Sequence, residues 1–115
     1  MLLSRPLAIL AILAATIALY SRPILAFASD SAEIRFENHQ FEPLTLTVPT
    51  GQPLTIKVIN ASNETIEFES FKLNREKAIS PGESIIVRLP ALSAGDYDFY
   101  DDFHQDVPQG SIVAK

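Results

Sequence analysis

The sequence predicts an all-β fold, a sandwich of short strands that is preceded by a segment for export. Hydrophobic and polar residues alternate in several stretches between residues 32 and 114, for example around Ile34, Ile56 and Phe99. Alternation with a period of two is typical of strands that are buried on one face. Turn-forming residues interrupt the pattern, as at 49–53 and 80–83, and about seven strands at this spacing indicate a sandwich or a small barrel.

The same alternation predicts which side chains form the core. The pattern is also compatible with a helical turn over residues 74–78, and no convincing amphipathic helix stands out elsewhere. We expect the following residues to be buried: Ile34, Leu46, Ile56, Val58, Val87, Tyr97 and Phe99.

The N-terminal residues 1–28 have the character of a signal peptide. Arg5 supplies a positive start, an apolar run follows over residues 7–20, and Ala26-Phe27-Ala28 places small residues where a signal peptidase cuts. The alternative is a membrane anchor, but the run is shorter than the roughly 20 residues that span a bilayer. We therefore predict cleavage before Ser29 and one exported domain over residues 29–115.

Composition narrows the classes of function. All 14 acidic residues lie after residue 28, together with seven of the nine basic residues, which gives the predicted domain a formal charge near −7. Such a domain is a poor candidate for binding nucleic acid or anionic membranes. The chain has no cysteine, which excludes disulfides and thiolate metal ligation. No arrangement of a nucleophile with a base, and no glycine-rich phosphate loop, stands out.

The segment 97–106 concentrates aromatic residues, carboxylates and a histidine. Alternation puts Asp101 on the same face as Tyr97 and Phe99, pointing inward at the end of a strand, and His104 follows in a loop. A carboxylate and an imidazole at the rim of a sandwich form a plausible cation site. The alternative is a solvated acidic loop that includes Asp102, because runs of charge are usually exposed.

A second acidic cluster lies upstream. Glu67 and Glu69 fall on one strand face, where like charges repel unless a cation or a basic group lies between them. Three nearby basic residues are close enough in sequence to neutralise these glutamates, namely Lys72, Arg75 and Lys77. Glu76 lies between two basic residues and is equally explained as an ion-pair partner. His39 lies in a predicted turn, where a histidine is more often a surface residue than a metal ligand.

Several motifs together resemble the cupredoxin-like domain family, and within it the EfeO-type domains of bacterial periplasmic iron-uptake proteins. They are Phe41-Glu42-Pro43, Val48-Pro49-Thr50-Gly51, Val58-Ile59-Asn60, Glu67-Phe68-Glu69-Ser70, Leu73, Arg75-Glu76-Lys77, Phe99 to His104 and Gly110-Ser111-Ile112-Val113. The resemblance implies an antiparallel Greek-key β-sandwich. It also places Asp101 at the cysteine position of blue-copper cupredoxins and His104 at the histidine position, while Pro108 falls near the methionine position. The first histidine position has no match, and Glu67 or Glu69 lies there.

The resemblance further implies a periplasmic metal-binding accessory in iron, or iron and copper, uptake, without a type 1 blue-copper site. Its implied partners are an inner-membrane iron permease and other periplasmic uptake components. An oxygen-rich ligand set favours Cu(II) or Fe(III). Two alternatives stay open, a metal-free interaction module that docks on a permease and, less favoured without a cysteine, a copper-dependent iron oxidase. The candidate ligands are Glu67, Glu69, Asp101, Asp102 and His104, with Glu76 supporting them or ligating in their place.

Overall fold

The computed structural model describes Leu3 and residues 31–115, so the predicted signal peptide and its cleavage site fall almost wholly outside the described residues. No helix among these residues is long and apolar enough to cross a bilayer. Residues 31–115 form nine strands: β1 Ser31–Glu37, β2 Gln40–Glu42, β3 Thr45–Val48, β4 Leu54–Asn60, β5 Ile66–Ser70, β6 Arg75–Ile79, β7 Ser84–Leu89, β8 Gly95–Asp101 and β9 Gly110–Ala114.

The strands build two sheets, which confirms the predicted all-β sandwich. The first sheet has the order β2-β1-β4-β7 and the second has the order β3-β9-β8-β5-β6. Five of the strand pairs in the described residues are antiparallel, whereas β1 with β4 and β3 with β9 run parallel. Each sheet is therefore mixed, a feature that the alternation of residues does not reveal because it reports which face is buried and not the direction of the neighbouring strand.

Aromatic side chains fill the space between the sheets. Phe36, Phe68 and Phe99 are the largest fully buried side chains, and the ring of Phe99 lies 5.1 Å from that of Phe41, edge to face. Gly110 lies opposite Phe99 in the register of β8 and β9. A Cβ atom at Gly110 would lie 2.1 Å from the Phe99 ring, so only glycine fits here.

Five of the seven predicted core residues are buried, namely Ile34, Ile56, Val58, Val87 and Phe99. Leu46 and Tyr97 are only partly buried and pack against the core from its margin. The hydroxyl of Tyr97 donates a hydrogen bond to the Ser93 carbonyl oxygen, and a phenol that needs such a partner favours the edge of a core.

Residues 74–78, for which a helical turn was considered, are instead extended. β6 pairs with β5 from Ser70 opposite Arg75 to Ile66 opposite Ile79. Asn74 has a φ of 52° in the preceding turn, a conformation that asparagine tolerates better than most residues. Pairing with a buried neighbouring strand therefore overrides the local preference.

Candidate metal centre

Two groups of ionisable side chains lie on either side of the end of β8. The first, here called the histidine cluster, consists of His39, Glu64, Asp101, His104 and Asp106. The second, here called the carboxylate cluster, consists of Glu67, Glu69 and Glu76. Alternation along β8 points Asp101 into the sandwich, whereas Asp102 lies in the turn that follows, near enough for its negative charge to act on Glu67.

Asp101 is the anchor of the histidine cluster. Its side chain is fully buried, as the alternation with Phe99 predicts. One carboxylate oxygen accepts hydrogen bonds from the backbone N–H groups of Glu67 at 2.9 Å and Phe103 at 3.0 Å. The other oxygen lies 2.6 Å from Nδ1 of His104. A carboxylate oxygen accepts hydrogen bonds, so Nδ1 of His104 is the donor in this contact and Nε2 points away from Asp101.

The other ring nitrogen of His104 faces a second carboxylate. Nε2 of His104 lies 3.3 Å from Oε2 of Glu64. Two ligands that bind one metal ion at about 2.0–2.1 Å are separated by about 2.9 Å at neighbouring square-planar positions and by about 3.3 Å at tetrahedral positions. The two atoms are thus spaced as a nitrogen and an oxygen ligand of one ion would be.

The loop that carries Glu64 is held by the buried side chain of Asn60. The Asn60 amide donates to the carbonyl oxygens of Glu64 at 2.6 Å and of Ile79 at 2.9 Å. Its oxygen accepts from the backbone N–H of Ser62 at 3.0 Å and from the Ser62 hydroxyl at 2.6 Å. These four bonds fix the backbone at Glu64, although the Glu64 carboxylate itself is half exposed.

His39 brings a second imidazole to the same end of the sandwich. It lies in the two-residue turn between β1 and β2, where Asn38 and His39 both have positive φ, as a type I′ hairpin turn requires. Its ring lies 5.8 Å from that of His104, and its Nε2 lies 3.0 Å from Oδ2 of Asp106.

The contact between His39 and Asp106 shifts the pKa of both side chains. The hydrogen bond to Asp106 raises the pKa of His39, which the negative charges of Asp106, Glu64 and Asp101 also favour. The same hydrogen bond lowers the pKa of Asp106. Each partner therefore favours the charged form of the other, and the turn and the β8–β9 loop are joined by an ion pair.

The carboxylate cluster lies on the outer face of the second sheet. Glu76 is directly opposite Glu69 in the pairing of β5 and β6, and oxygen atoms of Glu67, Glu69 and Glu76 lie within 4.8 Å of one another. Partial burial raises the pKa of Glu67 to about 7, supported by a hydrogen bond with Glu76 and by the negative charges of Glu76, Asp102 and Glu69. A proton held by Glu67 and Glu76 thus offsets part of the repulsion.

The basic residues nearby do not neutralise this cluster. Lys72 donates to the Asp96 carbonyl oxygen, and Arg75 donates to the carbonyl oxygens of Leu73, Asn74 and Arg88. Among the described residues, no ion pair joins Lys72, Arg75 or Lys77 to a carboxylate.

The structure divides the predicted site residues between the two clusters. Asp101 and His104 belong to the histidine cluster, whereas Glu67, Glu69 and Glu76 form the carboxylate cluster with Asp102 beside it. Glu69 and His104 thus fall in different clusters. Glu64 and Asp106 are not among the predicted ligands, because they lie in loops whose proximity depends on the fold. His39 is exposed, as its position in a turn predicts.

Comparisons with known proteins agree with this architecture. A family model described as a cupredoxin-like domain matches residues 8–114. An uncharacterized protein of Rickettsia prowazekii (strain Madrid E) is 39% identical over 83 residues, which cover 72% of this chain and 66% of that protein. The chain thus spans slightly less than two thirds of this relative's length.

Solved structures of copper proteins share the fold at low sequence identity. Reduced auracyanin from Roseiflexus castenholzii superimposes with a TM-score of 0.62 at 18% identity, covering 76% of this chain and 98% of auracyanin. The metal-binding domain of the Cu(I)-exporting ATPase CopA of Streptococcus pneumoniae D39, solved with Cu(I), gives a TM-score of 0.66 at 17% identity. The match covers 74% of this chain and 84% of that domain. A purple cupredoxin from Nitrosopumilus maritimus gives a TM-score of 0.55 at 18% identity, and the match covers 73% of this chain and 99% of the cupredoxin.

Proposed function

Because this chain belongs to the cupredoxin-like domain family, we propose that it is a periplasmic metal-binding accessory of the EfeO type, acting in iron or iron and copper uptake. The metal is Cu(II) or Fe(III). The proposal includes export by cleavage after Ala28 and the absence of a type 1 blue-copper centre. An inner-membrane iron permease is its proposed partner.

The observation that carries the proposal is the pairing of His104 with Glu64. Their ligand atoms lie 3.3 Å apart, and the other ring nitrogen of His104 is held by the buried Asp101. An imidazole backed by a carboxylate is a common arrangement at metal sites, because the carboxylate fixes the tautomer and raises the basicity of the ligating nitrogen. With His39 adjacent, the histidine cluster offers nitrogen and oxygen donors of the kind that suit Cu(II).

The carboxylate cluster supports Fe(III) as the second candidate metal. Its three glutamates supply oxygen donors only, which hard cations prefer. The pKa of Glu67 is raised to about 7, first by partial burial and then by the hydrogen bond and negative charges of the neighbouring carboxyl groups, so the protonated form is favoured. A bound cation would take the place of that proton.

A blue-copper centre does not fit the residues present. The chain has no cysteine, and Met1 is its one methionine. Asp101, at the position of the family's cysteine, already accepts three hydrogen bonds. We therefore assign Asp101 a positioning role for His104 and derive no electron-transfer step.

The role in uptake is supported by charge and by resemblance. Fourteen acidic residues concentrate cations near the surface. The EfeO-type resemblance rests on the motifs around Glu67, Glu76 and His104. The competing function, a metal-free docking module, is favoured by the fact that Asp101 is satisfied without any cation.

Calorimetric titration tests the proposal. Purified protein is titrated with Cu(II) and, separately, with chelated Fe(III), and the titrations are repeated on His104→Ala, Glu69→Ala and, as a control, Glu33→Gln on the exposed side of β1. We expect His104→Ala to weaken Cu(II) binding about tenfold or more, Glu69→Ala to weaken Fe(III) binding, and the control to change neither. Absence of any binding tighter than about 1 mM would leave the docking module as the function.

A further inference from the structure

The two sheets end side by side in an open groove, which Glu76 of the carboxylate cluster borders. β6 is the last strand of the second sheet and β7 is the last strand of the first, so each pairs on one side only. The groove between them is lined by the basic residues Arg75, Lys77 and Arg88, by Glu76, and by apolar residues that include Ile85 and Ile86. A strand that is paired on one side leaves backbone N–H and C=O groups free to bind another strand.

Three basic side chains line this groove. In the pairing of β5 and β6, Lys77 lies opposite the buried Phe68 and Arg75 lies opposite the buried Ser70, so both basic side chains start from the core-facing side of β6. The Arg75 guanidinium reaches across the groove and donates to the Arg88 carbonyl oxygen from Nη2 at 2.8 Å and from Nε at 3.2 Å. This bridge closes one end of the groove.

The basic residues of the groove have no ion-pair partner within the described part of the chain. No ion pair there involves Arg75, Lys77 or Arg88, although acidic residues outnumber basic ones by 14 to nine. Beside them, Ile86 leaves 47% of its surface exposed. With three cations against the single carboxylate of Glu76, and with an apolar side, the groove complements a ligand that is apolar and anionic.

We propose that this groove binds an extended acidic peptide segment of a partner protein. The segment adds to the free edge of β6 as a strand, and the carboxylates on its core-facing side lie toward Lys77 and Arg88. Strand addition supplies backbone hydrogen bonds, and alternate side chains supply specificity. The competing explanation is that inward-pointing charges on an edge strand only prevent association between copies of the protein.

Fluorescence anisotropy with a defined probe separates the two explanations. The probe is a short labelled peptide that alternates glutamate with valine, and its counterpart alternates lysine with valine. We expect the wild type to bind the glutamate peptide and not the lysine peptide, with an affinity that falls as salt rises. Lys77→Glu and Arg88→Glu should each weaken binding about tenfold or more. Lys115→Glu is the matched control, because it changes the net charge equally at the end of the described chain.

Two further measurements complete the test. Amide NMR signals of β6 should shift, and become protected from exchange, when the glutamate peptide is added. The proposal is overturned if no binding occurs at about 1 mM peptide or if Lys115→Glu weakens binding as much as Lys77→Glu does. It is equally overturned if Lys77→Ala causes self-association in sedimentation velocity while the wild type ignores the peptide, since the cations then serve only to protect the edge.

Discussion

Asp101 and Asp102 are neighbours in sequence, yet they belong to two different electrostatic environments. Asp101 is fully buried and accepts three hydrogen bonds from fixed donors. Asp102 lies in the turn that follows β8, where its charge adds to that of Glu67. The histidine cluster is therefore organised before any ion arrives, whereas the carboxylate cluster holds unbalanced charge. The comparison teaches that burial with satisfied donors, and not the number of carboxylates, decides which site is preorganised.

The largest expected effect is a difference in stability between alanine variants of these two aspartates. Asp101→Ala removes a buried acceptor and leaves the backbone N–H groups of Glu67 and Phe103 without a partner, so we expect it to lower the free energy of unfolding by about 3 kcal/mol. Asp102→Ala should change it by less than about 0.5 kcal/mol. Urea denaturation of both variants measures the difference, and equal effects would contradict the contrast.

A smaller change tests whether Asp101 positions His104 for a metal. Asp101→Asn keeps the volume but replaces one oxygen by an amide that donates, which disturbs the Nδ1 hydrogen bond. We expect Cu(II) affinity to fall about tenfold to a hundredfold and chelated Fe(III) binding to stay unchanged. Calorimetry of the folded variant, with circular dichroism as the check on folding, provides the measurement. Equal losses for both metals would mean that the two clusters are one site.

The next prediction concerns the pH dependence of the carboxylate cluster. The folded-state pKa of Glu67 is raised to about 7 from an ordinary value of 4.5, so the unfolded chain loses this proton at lower pH than the folded chain does. Glu67 should therefore lower stability progressively as pH rises through that window. Glu67→Gln should flatten the decline in urea denaturation series, while Glu33→Gln should not. An unchanged slope for Glu67→Gln would contradict the raised pKa.

The smallest expected effect belongs to the exposed His39–Asp106 ion pair. The raised pKa of His39 means that its contribution is present below the ordinary value of 6.5 and is lost as pH rises through the folded pKa. The lowered pKa of Asp106 means that its contribution is present above 3.8 and is lost as pH falls through the folded pKa. Asp106→Asn should thus lower the melting temperature slightly near pH 6 and not near about pH 9. A difference that persists at the higher pH would contradict the ion pair.

Much of the fold was predictable because burial on one face imprints a period of two on each strand. The inward position of Asp101 and the shared face of Glu67 and Glu69 follow from that period and are confirmed. The parallel partners of β1 and β3 were not predictable, since strand direction is set by long-range packing.

The composition of the two clusters was only partly predictable. Glu67, Glu69 and Glu76 are joined by the local β5–β6 hairpin, so their proximity follows from short-range register. His39, Glu64 and His104 lie in three separate loops. Their meeting depends on the way both sheets stack, which no spacing in the sequence records.

The position of β9 has a consequence for when the domain can fold. Residues 110–114 form an interior strand that joins β3 to the rest of the second sheet, so that sheet stays in two pieces until these residues are available. Contacts of such sequence separation form slowly, because the loop entropy is lost before the pairing stabilises the chain. In this strand order the second sheet is therefore completed late, after the local β5–β6 hairpin is already available to pair.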